Sequence, residues 1–289
     1  MPTVSIVLPT HNQAGYLHQT VESIRSQTMT DWELIIVDDA STDDTPTVVQ
    51  ELTMTDKRIR SIRNNFVEKT AGSLNNGFAL ATAELFTWTR DDNLYKPQAL
   101  DVLVKMMPGN DFVYSGMTII DDVGQVTGHV PATPPDQILL AHMLRGCFLY
   151  RRKIMDRVGS YDKNWYLVED WDFWIRALRA GFKFKAIPDD LYEYRLHSGS
   201  EAEKQKQEID EQVAKLMKHH NGSLPEPHHS ACLLHLSRFA WEHGDKREGR
   251  KLARSAMHAP ALKHYRGALM DGIFGPGTAK KWTRDQDQA

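Results

Sequence analysis

The sequence predicts an α/β fold: a mostly parallel sheet with helices on both faces, followed by a helical C-terminal extension. Three observations carry that expectation. Short apolar runs rich in β-branched residues alternate with helically periodic segments over residues 1–120, the pattern of strand–helix–strand crossovers. Three of the strand-like runs end in polar or acidic clusters, Pro9-Thr10-His11-Asn12, Asp38-Asp39 and Asp91-Asp92-Asn93, and open parallel sheets bind ligands at that edge. Beyond Asn221-Gly222-Ser223-Leu224-Pro225-Glu226-Pro227, a linker signal, the chain reads as helix, with Leu233, Leu236, Phe239 and Ala240 on one face.

The elements follow in order. Val4 to Leu8 is a first strand ended by Pro9, and Leu17, Val21 and Ile24 recur at helical spacing after it. Trp32 to Val37 is a second strand, after which Thr45-Pro46 reads as an N-cap with Pro at the first helical position. Arg58 to Ile62 is a weaker strand, Leu74, Phe78 and Ala81 mark a helix, and Leu85 to Thr89 is a further strand. Pro97 opens a helix through Met107, and Phe112 to Ile120 is strand again. Residues 121–164 are less regular, broken by Pro131, Pro134 and Pro135. A short helix runs from Asp170 to Ala180 and closes at Gly181; Phe182 to Ile187 and Leu191 to Arg195 are strand-like. The expected division is 1–220 and 221–289, with helix to Met270 and a polar tail beyond Gly277.

Composition narrows the function. The chain has 289 residues, 41% hydrophobic and 25% charged, enough to bury a full core. Its net charge of −3 supplies no field for nucleic acid. Cys147 and Cys232 form no metal-type spacing and read as reduced buried thiols. No apolar run is long enough to span a bilayer, and the N-terminus reads as a first strand rather than a signal peptide. The expected location is cytoplasmic, peripheral to the inner face of the membrane.

Asp91 and Asp92 follow an apolar strand. Adjacent carboxylates repel, and one or two carboxylates completed by substrate phosphates are how Mg²⁺ and similar ions are held; the alternative is a helix cap plus a solvated Asp. Asp38-Asp39-Ala40-Ser41 ends a strand where a carboxylate accepts from a base or ribose, or simply forms a turn. Glu169-Asp170-Trp171-Asp172-Phe173-Trp174, with Trp165 nearby, combines acids with aromatic platforms. It reads as a general base beside sugar-stacking rings, or as acids favoured by a helix dipole.

Together these residues resemble the family 2 glycosyltransferases of GT-A fold, a Rossmann-like, mostly parallel sheet. Val4 to Asn12 is similar to that family's first strand and Pro-x-x-Asn loop, Glu33 to Ser41 to its nucleotide-contacting strand end, and Asn75-Asn76-Gly77 to its Asn-x-Gly helix. Asp91-Asp92 resembles its metal motif, Glu169-Asp170 its base motif, and Tyr194-Arg195-Leu196-His197 with Ser200 its final loop. The resemblance covers residues 3 to 200 in order. Thr89 stands where the family often has Asp, and Leu74 where it often has Arg.

The resemblance implies an inverting transferase taking a nucleoside diphosphate sugar, with UDP expected, to an acceptor hydroxyl of a saccharide or glycolipid in surface polysaccharide synthesis. It implies Asp170 as catalytic base and a divalent metal, Mn²⁺ or Mg²⁺, on Asp92 with Asp91 and His197. Pro9, Thr10, His11, Asn12, Asp39, Asn75, Asp91 and Arg195 would meet the nucleotide, and Glu169, Trp165 and Trp171 the acceptor. Ser198-Gly199-Ser200 would give the final loop its joints. Outside the resemblance, Lys246, Arg247, Arg250, Lys251 and Arg254 on the C-terminal helices read as simple helical packing or as a protein or membrane surface. A dinucleotide-dependent oxidoreductase needs Gly-x-Gly-x-x-Gly after the first strand, whereas this turn is Pro-Thr-His-Asn-Gln-Ala-Gly. The remaining alternative is a non-catalytic sugar-nucleotide-binding or scaffolding protein of the same fold.

Overall fold

A computed structural model describes residues 1–135, 138–139, 147–197 and 205–256. The chain forms two compact units: Met1–Thr133 with Met143–Lys204, and Pro134–His142 with Gln205–Ala289. The division therefore falls ahead of Lys206–His220, a helix the sequence grouped with the first unit.

In the first unit β1 (Val4–Thr10), β2 (Trp32–Asp38), β3 (Ile59–Arg63) and β4 (Leu85–Trp88) pair in parallel. They are joined by α1 (Ala14–Arg25), α2 (Thr45–Thr55) and α3 (Lys69–Phe78). Then come β5 (Leu94–Tyr95), α4 (Ala99–Met106), β6 (Phe112–Ile120), β7 (Val126–Val130), β8 (Phe148–Arg151), α5 (Arg152–Val158), α6 (Glu169–Arg179) and β9 (Phe184–Arg195). The sheet order is β3-β2-β1-β4-β8-β6-β9-β5, with β7 beside β6. β8 runs antiparallel to both its neighbours, while β6 and β9 are parallel.

The apolar runs became strands because both sheet faces are covered: every residue from Trp32 to Asp38 is buried. One face packs Leu17, Val21 and Ile24 of α1 and Leu100 and Leu103 of α4 against Ile6, Leu8, Leu34 and Ile36. The other carries α3, which approaches so closely that a Cβ on Gly77 would lie 2.5 Å from Val7 Cγ1. An aromatic cluster seats α6: the Trp174 ring lies 4.6 Å from Phe112 and 4.9 Å from Phe148, and Phe173 stacks on Tyr161 at 4.6 Å.

Several local expectations are corrected. β1 runs on to Thr10, past Pro9; pairing with β4 has stopped at Val7, so the missing N–H breaks no ladder on that side. The N-cap of α2 is Asp44 rather than Thr45, and Pro46 still lies in the first turn, where no N–H is needed. The irregular middle contains β7, β8 and α5, too short to show a period. The two segments expected at 182–195 form one strand. Its register with β6 shifts at Gly116, where an added Cβ would lie 2.4 Å from Asp190 Oδ1.

The second unit holds α7 (Lys206–His220), α8 (His228–Glu242) and α9 (Lys246–Ala256). α8 buries Leu233 and Leu236 as its sequence predicts. Gly249, Ala253 and Ala256 of α9 are buried, and Arg247, Arg250, Lys251 and Arg254 are exposed. No helix among the described residues is long and apolar enough to cross a membrane. Expectations for Ser198-Gly199-Ser200, for helix beyond Ala256 and for the tail lie outside the described residues.

Candidate active site

β1, β2 and β4 are neighbours, so the loops leaving their carboxyl ends meet at one edge. The β1 and β2 loops are tied together. Asp39 N–H donates to Thr10 O at 2.8 Å, and His11 Nδ1 lies 2.7 Å from Asp39 O, so that nitrogen carries the proton. Asn12 accepts from Thr42 N–H at 2.7 Å, and its own N–H donates to Ser41 Oγ at 3.0 Å. The non-glycine residues with positive φ among the described residues are Asn12, Ala40, Lys69 and Leu167. Asn12 and Ala40 lie in these loops and Lys69 donates its N–H to Asp39 of one of them, and such conformations persist only where the surroundings enforce them.

A cleft of about 380 Å³ opens here, lined by Pro9, Thr10, His11, Gln13, Asp39, Val67, Lys69, Thr70, Ser73, Arg90, Asp91, Asp92 and Tyr166. Asp39 is buried, and its carboxylate accepts from Asn64 Nδ2 at 2.7 Å and from the N–H groups of Glu68 and Lys69, each at 2.8 Å. A carboxylate offers about four acceptor positions, so Asp39 shapes the start of α3 and retains one for a ligand.

Asp91 and Asp92 follow β4 into the cleft. Burial, and then the neighbouring Asp92 charge, push the Asp91 carboxyl up to about 7. Asp92 is buried; its Oδ2 lies 3.2 Å from His197 Nε2, and its Oδ1 has no hydrogen-bond partner. An orphaned buried carboxylate oxygen is costly unless a cation or donor meets it. Among the described residues no group of three or more His, Cys, Asp or Glu side chains could hold a metal alone. The unpartnered Asp92 oxygen would suit a hard divalent ion whose remaining ligands came from substrate phosphates and water.

Other expected site residues sit elsewhere. Arg195 is buried and does not line the cleft: its guanidinium donates to Asp92 O (3.0 Å), Asp121 O (3.2 Å), Asp122 O (3.0 Å) and Gln19 Oε1 (3.0 Å). It holds the Asp92 backbone in place, which leaves phosphate no fork of free N–H groups. Asn75 also lies off the cleft; its amide donates to Tyr161 O at 2.8 Å and accepts from Tyr161 N–H at 2.9 Å. It fastens the chain that leads into α6. Asn12, likewise outside the lining, orders the β1–β2 loops.

Asp170 is part-buried in the first turn of α6, with Oδ1 accepting from Trp171 N–H at 2.8 Å. It does not line the cleft, which reaches Tyr166, nor do Glu169, Trp165 or Trp171. Glu169 and Trp171 are buried. Asp172 is buried too and grips Arg176 Nε at 2.7 Å, while that guanidinium donates to the carbonyls of Val158 (2.5 Å) and Ser160 (2.8 Å). The loop ahead of α6 is tied to the sheet by Trp88 Nε1, which donates to Tyr161 Oη at 3.0 Å.

Gln13, Lys69, Arg90 and Tyr166 were not anticipated. Arg90 was findable from its place beside the Asp pair. Lys69 and Tyr166 reach the cleft through loops whose path no periodicity reports.

The α/β sheet thus carries an acidic cleft at its carboxyl edge. The model of glycosyl transferase family 2 matches residues 5–159, and the chain belongs to that family: it is a glycosyltransferase. The UDP-Glc:alpha-D-GlcNAc-diphosphoundecaprenol beta-1,3-glucosyltransferase WfaP of Escherichia coli is 32% identical over 206 residues, 69% of this chain and 80% of that one. Several Rickettsia relatives are longer, and the match spans 28–59% of their length. Two solved structures share the fold at 16% identity. S. aureus TarS 1-349 in complex with UDP-GlcNAc superposes with a TM-score of 0.65, covering 94% of this chain and 79% of that one. The mannosyltransferase PcManGT from Pyrobaculum calidifontis, in complex with GDP-Man and Mn²⁺, also gives 0.65, covering 99% and 84%.

Proposed function

We propose that the chain transfers a sugar from a UDP-sugar to an acceptor hydroxyl with inversion, in surface polysaccharide or glycolipid synthesis, with a divalent metal in the cleft. One observation carries the reading: Asp91 and Asp92 enter a nucleotide-sized cleft with Asp92 Oδ1 buried and unpartnered. Asp92, Asp91 and His197 would hold the metal. When bound, it neutralises diphosphate charge as the leaving group departs. UDP is preferred because the WfaP relative's name specifies UDP-Glc, and that name's lipid-linked saccharide is the model for the acceptor.

Asp170 is the base of this reading. The acceptor oxygen attacks the anomeric carbon, the bond to the donor phosphate breaks on the opposite face, and the hydroxyl proton passes to the Asp170 carboxylate. Its first-turn position keeps the carboxylate near a helix N-terminus, and Asp172 is committed to Arg176. The test is a screen of UDP- and GDP-sugars for Mn²⁺-dependent hydrolysis and transfer. Turnover of a UDP-sugar that falls about 10²–10⁴-fold in Asp170→Asn, with UDP binding retained, is expected. Donor binding without hydrolysis or transfer would favour the non-catalytic alternative.

A further inference from the structure

Lys69 begins α3 with φ +59°, a left-handed conformation that glycine adopts freely and a residue with a Cβ does not. The backbone cause is plain: the N–H groups of Glu68 and Lys69 both aim at the Asp39 carboxylate. Glycine would satisfy that geometry with less strain, so the backbone alone gives no physical reason for a lysine here.

The side chain supplies one. The Lys69 ammonium lies 3.6 Å from the centre of the Tyr166 ring, and both residues line the cleft. Lys69 is exposed, and among the described residues it makes no ion pair; its neighbour Glu68 is taken by Lys163. Tyr166 is half-buried, but the ammonium over it stands in solvent and is weakly held. The other charged groups lining the cleft are Asp39, Asp91, Asp92 and Arg90, so acids outnumber cations and a phosphate there gains from a further positive charge.

We propose that Lys69 is a donor-phosphate contact of this cleft. The ammonium rests on Tyr166 in the free enzyme and turns from the ring to the diphosphate oxygens on binding, a role suited to a compact charge with three rotatable donors on a flexible stem. The inference rests on the nucleotide-donor reading above and deepens it.

The experiment measures binding of UDP and of uridine, with Mn²⁺, to the full chain and to Lys69→Gly and Lys69→Arg, alongside Tm. Lys69→Gly removes the charge and relieves the backbone, so folding is not at risk. It should weaken UDP binding about 10- to 100-fold, the loss of one charge-assisted hydrogen bond. Uridine affinity should be unchanged and Tm no lower, and Lys69→Arg should restore UDP affinity to within a few-fold. Unchanged UDP affinity in Lys69→Gly overturns the proposal. So does equal loss of UDP and uridine, or an arginine variant as weak as the glycine one. A wild-type chain that binds no nucleoside diphosphate would instead overturn the donor reading itself.

Discussion

Asp170 and Asp172 are two residues apart, and their substitutions should fail in opposite ways. Helical geometry puts their side chains about 200° apart around α6. Asp172 is 2% exposed and its carboxylate meets Arg176 at 2.7 Å, whereas Asp170 is part-buried. Removing one partner of a buried pair costs about 3–5 kcal/mol when the other charge is stranded. Here the Arg176 guanidinium keeps its bonds to the carbonyls of Val158 and Ser160, and an Asn carbonyl can still accept one hydrogen bond. Asp172→Asn should therefore cost about 2–3 kcal/mol, below that range. For a unit of this size the loss corresponds to a Tm drop of roughly 4–12 °C. Asp170→Asn keeps an oxygen that can accept from Trp171 N–H and removes a charge near a helix N-terminus, so its stability loss should be about 0.3–1 kcal/mol. Urea titration followed by tryptophan fluorescence, paired with turnover per folded molecule, separates the two. The reasoning fails if Asp172→Asn melts like the wild type, if Asp170→Asn loses as much stability, or if turnover per folded molecule vanishes only in Asp172→Asn.

Three further outcomes are expected. Asp92→Asn should abolish the Mn²⁺-dependent part of UDP binding, titrated calorimetrically with and without Mn²⁺, and unchanged metal dependence would remove Asp92 from the metal site. Gly77→Ala should destabilise by about 1–3 kcal/mol through overpacking, because the new methyl meets Val7 and Val37 at 2.5 and 3.0 Å; a urea midpoint equal to the wild type would show that α3 can shift. Burial alone would raise the Glu33 carboxyl, but hydrogen bonds from Ser5, Thr82 and Arg60 outweigh it and hold it below 4.5. A lowered folded value means that Glu33 contributes stability above the unfolded value and loses it as pH falls through the folded one. The wild type should thus lose stability below about pH 4.5 more steeply than Glu33→Gln, and parallel acid limbs would contradict this.

By itself the sequence determined the strands β1 to β4 and β6, helices α1 to α4 and α6, and the edge where the chemistry gathers. Those signals are local: apolar runs stopping at Asn12, Asp39 and Asp92, and a helical period carried by Leu17, Val21 and Ile24. It also separated Asp170 from Asp172 by angle. What each polar side chain touches was not legible, because hydrogen-bond partners lie far apart along the chain. Arg195 and Asn75 read in the sequence as nucleotide contacts. Only the fold brings Arg195 onto the Asp92 carbonyl 103 positions away and Asn75 onto Tyr161 86 positions away. The same holds for Lys69 and Tyr166, which meet through loops of no period. Tertiary structure decided these roles because a polar group withdrawn from water must find its partner wherever the fold places one.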